Sequence, residues 1–279
     1  MKNFYIRKEF TILLLLIPII TSILYVWVRI NIYSAPVHQV ILGKKDPLIL
    51  TLILLVSTLP YAIREYYRER LIRSIENDIP VFLSGVEAGL IAGMSVFNAY
   101  SEASKQTKSL GIFMQKILRG VKIGAAFEEE IDHNLPHDTY LLRIFKEYLK
   151  LLVVGGEELY RTMREIREIF EKLVTFKKTL RSNAMQTASV FLTILGVYIA
   201  VLVMVVKMFL EGFTNTSIVS ISQNTVNTIE ATGAYMIYIQ AIGSGIVLST
   251  LSGSNRNYML FPMILASILG LLGYAYFII

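Results

Sequence analysis

Residues 171–209 read EKLVTFKKTLRSNAMQTASVFLTILGVYIAVLVMVVKMF. The first part is basic, with Lys172, Lys177, Lys178 and Arg181. Between Ala184 and Val206 there is no charged residue, and no turn signal separates the two parts. A helix with charge at one end and about 20 apolar residues at the other belongs half to water and half to hydrocarbon. The pattern predicts one helix that leaves a charged domain and enters a membrane.

Working outward, the charge is bunched and the flanks are lipid-like. Of 279 residues, 54% are hydrophobic and 17% charged, against about 25% charged in ordinary soluble domains. Most of the charge lies between Arg64 and Arg181. Apolar runs stand on either side, giving predicted spans at 10–29, 48–63, 184–209, 231–251 and 258–279. The first exceeds the apolar core of a signal peptide, about 7–15 residues. It ends in Tyr25 and Trp27, residues suited to a membrane interface, so it reads as an uncleaved span. The expected fold class is an all-α membrane protein. Residues 1–63 form an N-terminal membrane region with two spans, 64–182 a cytoplasmic helical bundle, and 183–279 a C-terminal membrane region with three spans.

The basic residues set the sidedness. The basic ends and loops are the start up to Phe10, Arg64 to Arg181, and the turn with Arg256, whereas 212–230 holds no Lys or Arg. This predicts a multi-pass protein of the cell membrane with its N-terminus and central domain in the cytoplasm and its C-terminus outside. Lys44 and Lys45 dissent, with Asp46 beside them to offset their charge. Asn215-Thr216-Ser217 is a glycosylation sequon on the expected outer side.

Inside the charged block the punctuation predicts several helices. Asp78 reads as an N-cap with Pro80 in the first turn. Gly93 ends that helix and Ser95 caps the next. Ile112, Phe113, Ile117 and Leu118 form an apolar stripe. Gly120 and Gly124 break the chain before a short acidic helix stopped by Pro136. Asp138 caps another helix, Gly155-Gly156 breaks it, and Glu157-Glu158 opens the last one. A half-repeat shows: a helix, a glycine turn, then a helix led by small residues, once at Gly93-Met94-Ser95 and again at Gly124-Ala125-Ala126. Arg64, Arg68, Arg70 and Arg73, interleaved with Glu65, Glu69 and Glu76, read as a solvated face whose arginines meet membrane lipids.

The chain holds few of the parts that enzymes need. It has no cysteine, hence no disulfide, no thiolate-ligated metal and no thiol nucleophile. No phosphate-binding G-x-x-x-x-G-K-[ST] loop and no H-E-x-x-H or G-x-S-x-G motif occurs. His133 and His137 lie four apart beside Asp132 and Asp138, but Pro136 interrupts the helix that would align them, so they read as a solvated turn and not a metal site. No catalytic residue and no cofactor is expected. At a membrane, the net charge of +6 reads as topogenic and predicts no nucleic-acid partner. The candidate contact residues are the acidic run Glu128, Glu129 and Glu130, and the helix positions Glu157, Glu158, Arg161 and Arg164. Gly233, Gly243 and Gly245 are candidates for close helix packing.

Three segments carry a resemblance: IPVFLSGVEAGLIAGMSVFNAYSEAS from Ile79, ILRGVKIGAAFEEEI from Ile117, and VVGGEELYRTMREIREIFEKLVTFKKTLRSNAM from Val153. In order and spacing they resemble the type II secretion system F domain, over roughly 78–208. That domain builds the platform proteins of type II secretion, type IV pili, Tad pili and archaeal filaments. The resemblance implies a bundle of about six helices and a non-enzymatic role in filament assembly, holding pilin subunits and contacting a hexameric secretion ATPase. Many platform proteins carry two such domains and this chain one, which implies a homodimer or a paralogous partner. It makes the acidic run and the Glu157–Arg164 positions candidate ATPase contacts, and the three glycines a candidate membrane-packing or pilin interface. The residues alone leave two other readings open, a transporter or permease and a membrane signalling adaptor.

Overall fold

The computed structural model describes residues 8–43, 45–136, 139–206, 222–254 and 257–278. Of the described residues 88% are helical, and no strand occurs among them. In chain order the helices are α1 Lys8–Asn31, α2 Val37–Leu42, α3 Asp46–Ile91, α4 Val96–Gln106, α5 Ser109–Lys122, α6 Phe127–Asn134, α7 Tyr140–Met204, α8 Gln223–Leu251 and α9 Leu260–Ile278. Helices α3, α7 (over Met163–Met204) and α8 (over Asn224–Leu251) are long and apolar enough to cross a membrane. The described apolar parts of α1 and α9 are shorter. The chain divides into two compact units. Unit 1 comprises Met1–Tyr66, Asn183–Leu251 and Arg256–Ile279, and unit 2 comprises Tyr67–Ser182 and Ser252–Asn255. The boundaries at 66/67 and 182/183 fall inside α3 and α7, so at both places the chain changes unit without a loop.

Two expected breaks are absent. Pro80 does not open a helix; α3 runs through it for 46 residues. A proline inside a helix costs about 3 kcal/mol. Opposing it, Ile75, Ile79, Phe82, Leu83 and Val86 are all fully buried on one face, and each contributes roughly 1.5–3 kcal/mol. Packing wins. Gly155-Gly156 likewise leaves α7 unbroken over 65 residues. Two glycines cost about 2 kcal/mol together, while Leu149 and Leu152 before them and Met163 and Phe170 after them are buried. Glu157 and Glu158 therefore lie inside a helix and not at its start. As a result unit 2 contains five helical segments among the described residues, not six: the end of α3, α4, α5, α6 and the start of α7.

Asp78 does cap a helix, but not its own. Its carboxylate accepts the backbone N–H of Ser109 at 2.7 Å and of Leu110 at 3.1 Å, the first two residues of α5. Ser95 does occupy the N-cap position of α4, without a side-chain hydrogen bond. At the start of α7 the capping oxygen is that of Thr139, which accepts from the Leu142 N–H; Asp138 lies outside the described residues.

The half-repeat is a real duplication of geometry. Gly93 and Gly124 adopt φ of +77° and +97°, values that a side chain makes costly. Met94 N–H donates to the Gly89 carbonyl at 3.0 Å, and Ala125 N–H to the Gly120 carbonyl at 3.1 Å, closing the preceding helix in the same way. A Cβ on Gly89 would press on Ala99, and one on Gly120 on Glu130, in each case ten residues later. The register of buried side chains matches too: Ile79 and Leu110, Leu83 and Met114, Val86 and Ile117, Tyr100 and Ile131 are all fully buried. Thus α3–α4 and α5–α6 are two copies of one helical hairpin.

An aromatic chain ties these hairpins to α7. Phe127 meets Phe97 and Tyr100, Tyr100 meets Phe82, and Phe82 meets Phe145, which meets Phe170, all with centroids 5.5–6.0 Å apart. The buried Tyr100 hydroxyl donates to the Leu149 carbonyl at 3.0 Å. In α5 the expected Ile117 and Leu118 are buried and Phe113 packs against the core; Leu110 and Met114 join them, while Ile112 faces out.

In unit 1 the core joins Leu48, Leu55 and Ala62 of α3, Leu195 of α7, Ala234, Ile237 and Ala241 of α8, and Leu260, Ile264, Leu271 and Tyr274 of α9. No residue of α1 enters the apolar clusters of the described residues. Its last turns are instead held by Asp46, which pairs with Arg29 and accepts from the Tyr25 hydroxyl, both at 2.8 Å. Asp46 therefore answers Arg29 from across the fold; Lys44 lies outside the described residues.

Replacing Gly124 by alanine should lower stability by about 1–2 kcal/mol. Asparagine there should cost less, because it tolerates positive φ. Thermal unfolding of the full chain in detergent, followed by its helical signal, reads both.

Candidate functional site

The acidic run opens α6 but does not act as one group. Glu128 and Glu129 are exposed in the first turn, where a helix N-terminus favours negative charge. Glu130 is half-buried. Its carboxylate rests over Gly120 and accepts from the Asn134 amide. Only the first two carboxylates are presented outward.

A feature that sequence reading passed over stands next to it. Between Glu102 and Glu128 the chain has no acid and five cations: Lys105, Lys108, Lys116, Arg119 and Lys122. Lys105, Arg119 and Lys122, with Ser101, Ser104 and Gln115, line a polar cavity of about 280 Å³ between α4 and α5. Lys105 is paired with Glu102 at 2.6 Å. Arg119 and Lys122 lie in the last turn of α5, where cations are favourable in any case. The absence of acids was the available signal. The surface of unit 2 thus passes from basic at the end of α5 to acidic at the start of α6.

The α7 face is divided in the same manner. Arg164 is exposed and reaches Glu168 at 3.7 Å, a surface pair worth less than about 1 kcal/mol. Arg167 turns inward to Glu87 of α3 at 3.0 Å. The side chains of Glu157, Glu158 and Arg161 lie outside the described residues, so they are placed on α7 only by its backbone. Asp132 gathers Lys146 and Lys150 of α7 at 3.4 and 2.9 Å. The hydrogen bond from Lys150 holds the Asp132 carboxyl below its ordinary value, and burial pushes the Lys146 ammonium down. Both are structural pairs. No cluster of three potential metal-ligating side chains occurs among the described residues; His137 and Asp138 lie outside them.

Further along α3 and α7 the expected solvated face holds at exposed Arg70 and in part at Arg68 and Arg73, but is overturned at its glutamates and Arg64. Glu69 and Glu76 are each 1% exposed. Glu76 takes the Lys177 ammonium, the Arg181 guanidinium at 3.0 Å and the Thr139 hydroxyl at 2.7 Å. Glu69 takes Arg73 at 3.3 Å and Arg181 at 3.4 Å. Arg64 and Glu65, in unit 1, are also buried. Two carboxylates out of water would cost several kcal/mol each if alone. They are buried here because cations 101 and 105 residues away in the chain arrive opposite Glu76, which no local spacing could announce.

The three glycines of α8 have different surroundings. Gly233 receives Leu202 of α7, and Gly245 lies against the backbone of Leu260 in α9, whose Cα would be 2.9 Å from a Cβ on it. Both serve packing inside unit 1. Gly243 has nothing within 4 Å and is exposed. Lys207 and the sequon at Asn215 lie outside the described residues.

Removing Glu76 should reveal its place. Glu76→Ala leaves Lys177 without its carboxylate and should destabilise by about 3 kcal/mol, whereas Glu128→Ala should stay within about 0.5 kcal/mol. Equal melting temperatures of the two variants would contradict this. No family model, curated protein or solved structure matches the chain.

Proposed function

We propose that this protein is an integral membrane platform of a filament-assembly machine of the type IV pilus or type II secretion kind. In this reading unit 2 lies in the cytoplasm and meets a hexameric secretion ATPase. Unit 1 spans the cell membrane five times and handles pilin subunits, with the C-terminus outside. The protein is a non-catalytic transducer. The observation that supports it most is that α3 and α7 each continue from an apolar stretch into a charged helical unit without a loop, a construction suited to passing a conformational change from a cytoplasmic partner to the membrane. The ordered segments named above, which resemble the F domain, supply the partner. The outward Glu128 and Glu129, beside a basic α5, are the favoured ATPase contact; Glu130 is excluded by its place over Gly120.

A permease is the second reading. It has one observation behind it, the buried Glu230 carboxylate within the apolar unit.

The deciding experiment captures the cognate secretion ATPase on detergent-solubilised full-length protein. Wild type should bind and a Glu128→Lys, Glu129→Lys variant should not. Binding unchanged in the variant moves the contact to the Glu157–Arg164 region of α7. No binding by wild type defeats the platform reading in favour of a permease or an adaptor. Sidedness is read separately, since the chain lacks cysteine: Lys178→Cys should react with an impermeant thiol reagent only after lysis, and Ser34→Cys in intact cells.

A further inference from the structure

Gln240 stands at the middle of the apolar stretch Ala231–Leu251 of α8. Neighbouring hydroxyls are satisfied locally: Thr232, Ser244, Ser249 and Thr250 each donate to the carbonyl four residues earlier. The Gln240 side-chain amide makes no hydrogen bond among the described residues; the Ser244 hydroxyl reaches its backbone carbonyl, not its amide. Water would solvate such an amide. In hydrocarbon, leaving it unpaired costs several kcal/mol, so it calls for a partner beyond the described helices.

Its surroundings are shaped for one. Gln240 lines an open groove of about 510 Å³ with Tyr198 and Leu202 of α7 and Gly233, Met236 and Ile239 of α8. Along α8 the exposed positions include Thr232, Met236, Ile239, Gly243, Ile246 and Thr250. Their steps alternate four and three, the period of a helix–helix seam. Gly243, with nothing within 4 Å, lets a second helix come close at the level of the amide.

We propose that this face of α8 is a self-association surface, on which two copies of the chain pack α8 against α8 and their Gln240 amides hydrogen-bond reciprocally. A second copy is singled out by chemistry. An amide both donates and accepts, and copies inserted with the same sidedness hold Gln240 at the same depth. A two-fold axis through the seam pairs donor with acceptor in both directions, and the seam meets its own equivalent residues. This rests on unit 1 lying in a membrane and gives the homodimer of the platform reading its surface; it does not require the ATPase.

The test is energy transfer between labelled full-length copies in lipid vesicles at decreasing protein-to-lipid ratio. Gln240→Leu should weaken association about tenfold, the effect of losing an interhelical hydrogen bond of 1–2 kcal/mol. Gln240→Asn should retain most of it, and Gly243→Ile should weaken it. Leucine favours insertion, so loss of transfer in Gln240→Leu would not reflect failure to enter the bilayer. A second measurement uses the cysteine-free background. Under oxidant, Ile246→Cys copies should cross-link to one another, and Leu269→Cys copies, on the exposed face of α9, should not. Wild type monomeric at every dilution, transfer unchanged in Gln240→Leu, or cross-linking at Leu269→Cys alone would overturn the proposal. A failure of ATPase capture leaves these outcomes untouched, so the two readings fail separately.

Discussion

Unit 2 depends on a carboxylate that has almost no contact with water. Glu76 of α3 draws in Thr139 just before α7, then Lys177 and Arg181 on that helix. Apolar packing alone would let a 65-residue helix slide along its neighbour by a turn at modest cost, because one leucine fills much the same space as another. A fork of donors around one carboxylate does not allow that slide: a shift of one turn would leave charges buried and unmatched. The cluster therefore sets the register of α7 against α3, and the aromatic chain from Phe97 to Phe170 forms within that register. Asp78, two residues along α3, does for α5 what Glu76 does for α7.

The parts of this fold legible in the sequence are those governed by backbone chemistry. Gly93 and Gly124 announced their turns because positive φ excludes most other residues, and Pro136 ended α6 because the residue before it must be extended, as Leu135 is. The continuous passage of α7 from a charged to an apolar stretch was also readable from the absence of any turn signal. What could not be read was direction in space. Asp78-Ile79-Pro80 has the form of a helix start, yet the cap points at another helix. Gly155-Gly156 has the form of a break, yet buried leucines and aromatics on both sides hold the helix through it. The glutamates of α3 look solvated until their partners, a hundred residues away, are in place. The same applies to the candidate contact: three consecutive glutamates look equivalent, and only the fold makes Glu130 a strut over Gly120.

Unit 1 shows how small residues divide their tasks. Gly233 and Gly245 admit neighbouring helices, and α8 is thereby fixed between α7 and α9. Gly243 faces away from that packing, and Gln240 is half-buried in the groove beside α7. Polar character inside an apolar helix is thus sorted by partner: hydroxyls return to their own backbone, the Tyr235 hydroxyl reaches the Ile41 carbonyl, and the Gln240 amide makes no hydrogen bond among the described residues.

The twin hairpins carry a consequence for how this bundle can change over generations. Their matching landmarks lie 31 positions apart, Gly89 with Gly120 and Gly93 with Gly124. Splicing the chain at equivalent points would join α3 to α6 through a turn that already has its hydrogen bonds and its glycine in place. A bundle built this way can lose or gain a hairpin by a single in-frame recombination without inventing a new corner. Its size is a countable variable, and shorter or longer forms of the same wall are within one genetic step.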